Sequence, residues 1–323
     1  MKKLIFGLIT VMTVNFSLGQ QTEKLDYCNC QDKIAQITPE LNGQFERKCN
    51  FVIIEKGEFI NGLKNGVWST YSRKGKLIRK LNYDNGLLNG KVELFYVNGK
   101  PKVIGQFENG KKIGKWSYYT EKGKILLEGN YDSNKPIDTW TINDKKGKKP
   151  VVQYDFTLRK YLINNPTPFH KNGDVIQNEN TEEWYILKSP DKKYSSKPEP
   201  LGGYDFANFM FIELVEIPEV FWDTYVYNKY KVDFKVSEET GTSFKSQQIG
   251  DDYYGGQLEL TFLTITNPTS KIKRIKHSDL ETKLLNFKIN EAIFLMPPWI
   301  PNSENSEISL YIHYVINENM HRQ

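Results

Sequence analysis

The sequence contains few of the residues that build catalytic and metal sites. Its 323 residues include three cysteines and four histidines, and no two histidines have the spacing of paired metal ligands. It has no glycine-rich phosphate loop, no Gly-x-Ser-x-Gly nucleophile turn and no cysteine–histidine pairing. The acidic turn at 251–256 could hold calcium but lacks the ligand count of a calcium loop. We therefore expect a protein that is not an enzyme and that uses no cofactor or metal.

Arginine is scarce as well. The chain has 44 basic and 39 acidic residues, which gives a net charge of +5. Six of the basic residues are arginines, and they are spread along the chain at positions 47, 73, 79, 159, 274 and 322. A surface that reads phosphates favours clustered arginines, so we expect no nucleic-acid partner. The aromatic content of 13% is typical of a β-rich binding protein.

The longest hydrophobic run lies at the N-terminus. Lys2 and Lys3 precede an apolar stretch at 4–16, and Ser-Leu-Gly follows at 17–19. This run is short for a membrane span, and the order is that of a signal peptide cleaved before Gln20. An uncleaved anchor is the alternative. We expect an exported protein of the periplasm or cell envelope, with no stable membrane span after cleavage of 1–19.

All three cysteines lie in the next segment, 20–50. In an exported chain the default for such residues is a disulfide. Cys49 is expected to pair with either Cys28 or Cys30, which leaves one thiol free. The alternative, a metal site, would need a fourth ligand, and no histidine lies nearby.

A repeat of 24 residues dominates the part of the chain that follows. The dipeptide Asn-Gly begins at 61, 85 and 109. The same step links two further series of glycines and several series of aromatic residues. These are Gly66, Gly90 and Gly114; Gly75, Gly99, Gly123 and Gly147; Trp68, Trp116 and Trp140, with Val92 in the gap; Tyr71, Phe95 and Tyr119; and Phe59, Tyr83, Phe107 and Tyr131. Self-similarity at this period predicts an array of small structural units.

One unit, 109–132, predicts a β-hairpin. Alternation over 115–120 and 124–131 predicts two short strands, and Asn-Gly is a strong hairpin-turn signal. Each hairpin has one apolar face that needs cover, so the hairpins should stack into one ribbon-like sheet. We place this array at 51–156. Its aromatic residues either form a recognition surface or only pack a core, in which case the array is a spacer.

This pattern resembles MORN-type repeats, in the variant found in bacterial antitoxin-like proteins of the YwqK type. The resemblance covers about a third of the chain. The last unit departs from it, because Ser133-Asn134 replaces Asn-Gly and Asp138 replaces the second glycine. Terminal units are often atypical because they cap the stack.

Residues 157–200 break the period and read as an extended, proline-containing linker with one short ordered piece at 183–187. Residues 201–320 predict a second domain of α+β type. It contains a helix at 204–214, a hairpin at 258–276 and a helix at 278–296, which Pro297-Pro298 ends. Trp299-x-Pro301 then leads to a final alternating strand at 308–316.

The order of these elements resembles the C-terminal domain of TonB-type energy transducers. That resemblance implies a sheet edge that pairs with an extended peptide of an outer-membrane receptor. The last strand would be this edge, and its outward residues would be Ser309, Tyr311, His313 and Val315. The connection at 220–256 is longer than is usual in the family. A working transducer also needs a membrane-spanning N-terminus, whereas we expect 1–19 to be a cleavable signal, so the resemblance implies binding more than energy coupling.

The sequence thus predicts a mainly β fold with an α+β domain: stacked hairpins followed by a small two-helix domain. The function it favours is protein binding in the cell envelope. Three alternatives stay open. The last strand could pair within its own sheet, it could pair with a second copy to form a homodimer in a structural spacer, or the array could serve as an antitoxin or immunity protein.

Overall fold

The computed structural model shows a mainly β protein with two helices in the parts that it describes. These parts are residues 30–37, 41–49, 51–166, 175–177, 184–186, 198–216, 224–225, 227–237, 241–250, 261–265, 273–274, 288–301 and 306–315.

The first half of the chain forms one antiparallel sheet of twelve strands, in which every strand pairs with the next along the chain. The strands are β1 (Cys30–Ile37), β2 (Leu41–Cys49), β3 (Val52–Ile60), β4 (Leu63–Tyr71), β5 (Leu77–Asp84), β6 (Leu87–Phe95), β7 (Pro101–Glu108), β8 (Lys111–Tyr119), β9 (Ile125–Asp132), β10 (Lys135–Asn143), β11 (Pro150–Asp155) and β12 (Lys160–Asn164). We call it the repeat sheet. The predicted stack of hairpins in one ribbon is confirmed.

The turns of the repeat sheet follow the Asn-Gly signal even where the residues change. Asn109 and Gly110 have φ of 48° and 76°, which are the positive values that a two-residue hairpin turn requires. Ser133 and Asn134, one repeat later, have φ of 48° and 72°. The atypical last unit therefore keeps the backbone of the others.

The repeat sheet is longer than the predicted array of 51–156. Strands β1 and β2 extend it into the predicted leader, and β12 extends it into the predicted linker. The turn before β12, at 156–159, contains no Asn-Gly. It is stabilised instead by the Asp155 carboxylate, which accepts a hydrogen bond from the Leu158 amide at 2.7 Å. The repeat signal therefore ends before the sheet does.

One face of the repeat sheet, its inner face, carries the aromatic core. Trp116 and Trp140 have no exposed surface and Trp68 has 3%. Each tryptophan lies over a glycine of the neighbouring strand, and a Cβ on that glycine would come within 2.1–2.4 Å of the indole ring. The pairs are Gly57 with Trp68, Gly105 with Trp116, and Gly129 with Trp140. In the remaining unit Leu81 replaces the glycine and Val92 replaces the tryptophan, and the two residues face each other. The glycine and the tryptophan are therefore replaced together.

The second half of the chain contributes two helices and a second sheet. Helix α1 is Gly203–Leu214, and α2 is the helical stretch 288–295. The predicted helix at 204–214 is confirmed, and the part of the predicted helix 278–296 that precedes 288 lies outside the described residues. The strands are β13 (Val175–Gln177), β14 (Trp184–Ile186), β15 (Glu199–Pro200), β16 (Thr224–Tyr225), β17 (Tyr227–Ser237), β18 (Gly241–Gly250), β19 (Thr261–Ile265), β20 (Lys273–Arg274), β21 (Trp299–Ile300) and β22 (Ser306–Val315).

The second sheet has the strand order β13-β14-β19-β22-β17-β18. The predicted hairpin at 258–276 does not form between its described strands. Strand β19 pairs with β14 and β22, whereas β20 pairs in parallel with β16. Both are pairings between distant segments, and neither follows from the sequence of the turn at 267–270.

The two halves share one hydrophobic core. Buried residues of the inner face, of α1 and of 289–300 belong to a single cluster. Phe107 of the repeat sheet stacks on Phe294 of α2, with ring centroids 5.4 Å apart. The predicted picture of an array tethered to a separate domain is therefore corrected. The helices cover the inner face, and the aromatic residues of that face are core.

Candidate functional site

Polar side chains of the inner face bind the C-terminal ends of both helices. We call this set of contacts the docking seam; on the sheet side it consists of Arg79, Lys102, Lys112 and Tyr118. The last carbonyls of a helix have no partner within the helix, and the helix dipole favours positive charge there. Helix α1 has no basic residue in its last turn. The repeat sheet supplies the positive groups instead.

Three donors of the seam reach main-chain oxygens of the helices. The Lys102 ammonium donates to the Glu213 carbonyl at 2.9 Å. The Lys112 ammonium donates to the Met296 carbonyl at 3.2 Å, and the Tyr118 hydroxyl donates to the Leu295 carbonyl at 2.9 Å. These bonds fix the position of α1 and α2 along the strands, which apolar packing alone does not specify.

Arg79 is the charged centre of the seam. It is 3% exposed and pairs with Glu291 of α2 and, at 2.9 Å, with Glu216 just after α1. Lys288 bridges the same carboxylates, at 3.3 Å from Glu291 and 3.8 Å from Glu216. Burial alone would raise the pKa of Glu291, but Arg79 and then Lys288 outweigh it and lower that pKa to about 2.

Lys112 is buried without an ion pair to any described carboxylate. Its ammonium lies 4.9 Å from the ring centre of Trp116, 4.8 Å from that of Tyr131 and 5.4 Å from that of Phe294. Burial lowers the pKa of Lys112 to about 7. The three ring faces and the Met296 carbonyl favour the charged form.

The titration of Lys112 predicts a specific pH dependence of stability. Between pH 7 and about 10.5, the ordinary lysine value, the unfolded chain binds more protons than the folded protein. The free energy of unfolding should therefore rise with pH in this range. Relative to Lys112→Met, we expect the unmodified protein to gain at least about 1 kcal/mol between about pH 7 and pH 9. Urea unfolding at each pH measures this, and parallel curves for the two proteins would show that Lys112 does not titrate there.

The four predicted partner-binding residues lie on β22, which is an inner strand of the second sheet. Tyr311 and His313 have neighbours on both sides, in β17 and β19. Ser309 and Val315 pair with β17. This corrects the prediction that the last strand offers a free edge to a peptide or a second copy. The sequence could not show it, because β19 joins β22 by parallel pairing between distant segments.

The register of the first hairpin bears on the choice between the cysteines. Cys30 and Cys49 are directly opposite each other in the β1–β2 pair, whereas Cys28 lies outside the described residues. Opposite residues of antiparallel strands are close to disulfide geometry. We predict a Cys30–Cys49 bridge with Cys28 free. In unreduced protein, Cys30→Ser should abolish the bridge and its matched control Cys28→Ser should keep it; the reverse pattern would assign the bridge to Cys28.

The structure does not describe the remaining candidate positions. His170, His277, His321 and the acidic turn at 251–256 all lie outside the described residues. In the described parts of the chain, no group of three or more His, Cys, Asp or Glu side chains could hold a metal ion. No helix there is long and apolar enough to span a membrane.

Sequence reasoning missed the exposed edge of the repeat sheet. Among the described residues, β12 has a neighbour on one side only, β11. Tyr161 is 38% exposed, Leu162 48% and Leu158, in the preceding turn, 59%. These are among the few large apolar side chains that the described surface exposes. The signal in the sequence was the short apolar run Tyr161-Leu162-Ile163, which lies inside the predicted linker.

The family comparison identifies repeats within the repeat sheet. The family model described as MORN repeat variant matches residues 64–85, 88–109 and 112–133. The chain therefore contains three tandem MORN repeat variants, which run from β4 to β9. No curated protein matches the chain.

Several solved structures resemble a part of it. S. aureus TarM is 14% identical with a TM-score of 0.22 and covers 31% of this chain and 20% of its own. The Glycosylation Associate Protein (Gap123) complex from Streptococcus agalactiae is 17% identical with a TM-score of 0.19, and covers 38% and 20%. Accessory secretory protein 1,2 and 3 in Streptococcus pneumoniae is 16% identical with a TM-score of 0.16, and covers the same shares. The chain spans about a fifth of the length of these structures, and likeness at such scores carries no inference about function.

Proposed function

We propose that this protein is an exported cell-envelope protein that binds another protein by strand addition to β12. The observation that supports this best is the exposure of β12 at the edge of a twelve-stranded sheet. An exposed edge with apolar side chains is a template for pairing with a further strand. Strand addition takes affinity from main-chain hydrogen bonds and specificity from alternate side chains.

The main chain of β12 presents hydrogen-bonding groups on its outer side. The Asn165 amide donates to the Val151 carbonyl at 2.8 Å. Val152 faces Asn164 in the same ladder. The main-chain N–H and C=O groups of successive residues in a strand point to opposite neighbouring strands. Because the Asn165 amide bonds to β11, the amide and carbonyl of Asn164 face away from β11. A partner strand can bond to them without any change in the repeat sheet.

The charge at the start of β12 selects the kind of partner. Arg159 and Lys160 are both exposed and adjacent, and Lys135 is the exposed first residue of β10, directly after the neighbouring turn. Glu199 is close enough to Tyr161 to add to the effect of burial, which raises the pKa of that phenol to about 12. Three cations at the start of the strand face the carboxylates of Asp138 and of Asp155, which interacts with Lys160, so this end keeps a net positive charge. The occupant we propose is an extended, acidic segment of a different protein.

The remaining parts of the proposal concern the setting. Residues 1–19 support export to the envelope. The helix at 204–214, the Trp299-x-Pro301 motif and the final strand are the features that support a relation to TonB-type C-terminal domains, with the peptide-binding edge moved from the last strand to the repeat sheet. In this proposal the second half of the chain acts by bracing the repeat sheet through the docking seam.

A peptide-display selection on the mature chain tests the proposed function. We expect enrichment of extended sequences with alternating apolar residues and an acidic end. Asn164→Pro removes the outward amide and should abolish their binding. Asn164→Ala, the matched control, should preserve it.

Two results would overturn this proposal. One is the absence of any enriched peptide that distinguishes the unmodified chain from Asn164→Pro. The other is concentration-dependent dimerisation, measured by light scattering, that Asn164→Pro abolishes. That second result would assign β12 to self-pairing and favour the structural spacer.

A further inference from the structure

A cleft of about 200 Å³ lies where the end of the repeat sheet meets the second half of the chain. Its walls include three aromatic residues, Tyr154, Phe156 and Trp299. The first residues of β10, the turn before β12, and Ser237 and Gly241 also line it. This volume is many times that needed for one water and is enough for one large side chain.

Among the described residues that line the cleft, the two charged ones are cationic, Lys135 and Arg159. Arg159 also interacts within the protein, and the five N–H donors of a guanidinium leave room for a bound carboxylate as well. The cleft therefore suits a ligand that has both an aromatic ring and a carboxylate. The aromatic walls would bury the ring while the cations contact the carboxylate.

The cleft is also at the correct end of β12. A strand that adds antiparallel to β12 runs in the opposite direction, so its C-terminal end lies beside Lys160 and Arg159. The added strand would be two strand spacings of about 4.8 Å from β11, and about three extended residues of 3.3 Å each cover that distance. The last residues of the partner can therefore cross the turn at 156–159 and enter the cleft.

We propose that this cleft binds the C-terminal residue of the partner segment. Its aromatic side chain lies among Tyr154, Phe156 and Trp299, and its free carboxylate contacts Arg159 and Lys135. The inference rests on the proposed function for the identity of the partner. The cleft itself can be tested without strand pairing, because a single capped residue contains both chemical features.

N-acetylphenylalanine and its C-terminal amide are the probes. Ligand-observed NMR titration of the mature chain should give a dissociation constant for the acid of about 1 mM, as expected for a ligand of this size. We expect the amide to bind at least about tenfold more weakly, which is the loss of one charge-assisted contact. Arg159→Gln should weaken binding of the acid to the level of the amide. Lys122→Gln, a charge control on the distant turn between β8 and β9, should leave binding of the acid unchanged.

The outcomes separate the two proposals. Asn164→Pro should leave binding of N-acetylphenylalanine unchanged, because it alters only the edge of β12. Failure of the acid to bind, or equal binding of acid and amide, overturns the cleft proposal and leaves strand pairing to the peptide selection. Binding of the acid that depends on Arg159, together with no enriched peptide, retains the cleft and removes the strand-pairing function.

Discussion

Gly129→Leu should destabilise the protein by at least about 3 kcal/mol. The Cβ alone would come within 2.1 Å of the Trp140 ring, which has no exposed surface, so the ring or the strand would have to shift within a packed core. Trp140→Val should cost about 3 kcal/mol by leaving a cavity. The double variant recreates the Leu81–Val92 pair of the second repeat, so its loss should be about 2 kcal/mol smaller than the sum of the two.

Urea unfolding followed by circular dichroism measures this cycle. The inverse exchange, Leu81→Gly with Val92→Trp, is the matched test in the second repeat and should likewise cost less than the sum of its parts. Strictly additive losses at 129 and 140 would mean that glycine is required there for some reason other than the space under the indole.

Arg79→Met should cost about 3–5 kcal/mol, because it leaves the buried Glu291 carboxylate and the half-buried Glu216 carboxylate without their strongest partner. The pKa of Glu291 is about 2 in the folded protein, against an ordinary value of 4.5. Its contribution to stability is therefore full above pH 4.5 and is lost as the pH falls towards 2. Arg79→Met should raise that pKa towards its ordinary value, so the variant should lose less stability than the unmodified protein as the pH falls from 4.5 towards 2. The cost of the substitution should therefore shrink over this range.

Lys115→Met is the matched control for this prediction. Lys115 lies on the same sheet and pairs with Glu128 at 2.7 Å, but its side chain is 63% exposed. A surface ion pair of this kind contributes little, so the change should be within about 0.5 kcal/mol. Equal losses for the two variants at neutral pH, or a cost of Arg79→Met that does not shrink as the pH falls from 4.5 towards 2, would show that the docking seam does not hold the helices on the sheet.

The sequence predicted the local structure of the repeat sheet well. Asn-Gly turns and alternating residues determine a hairpin over a few positions, and the backbone keeps that turn even at Ser133-Asn134. The position where the sheet ends was predicted less well from the sequence. The turn before β12 depends on the Asp155 carboxylate, and turns of this kind resemble the polar residues of an ordinary linker.

The docking seam was not predicted, because its contacts join residues that are far apart in the chain. A signal was nevertheless present in the repeat. Arg79 occupies the inner-face position that holds Val103 and Leu127 in the next two units, and Lys102 occupies that of Ile78 and Leu126. Lys112 likewise stands where the neighbouring units have Leu88 and Pro136. A charge at a repeat position that is otherwise apolar indicates a buried polar partner outside the array.

The second sheet shows the opposite limit. The alternation of β22 correctly predicted a strand but gave no information on its neighbours. A strongly alternating strand suits an inner position as well as an edge. Long-range pairing decides which strands lie beside such a strand. The predicted binding residues therefore lie on an inner strand of the second sheet, whereas the exposed edge at β12 belongs to the repeat sheet.

The central claim is that the helices of the second half cover the aromatic face of the repeats. Nuclear Overhauser effects between the ring protons of Phe107 and Phe294, in mature protein with selectively protonated phenylalanine, test it most directly. The ring centroids are 5.4 Å apart, so clear cross-peaks should connect the two side chains, and Phe294→Leu assigns them. A folded protein in which no such cross-peak occurs would contradict the account.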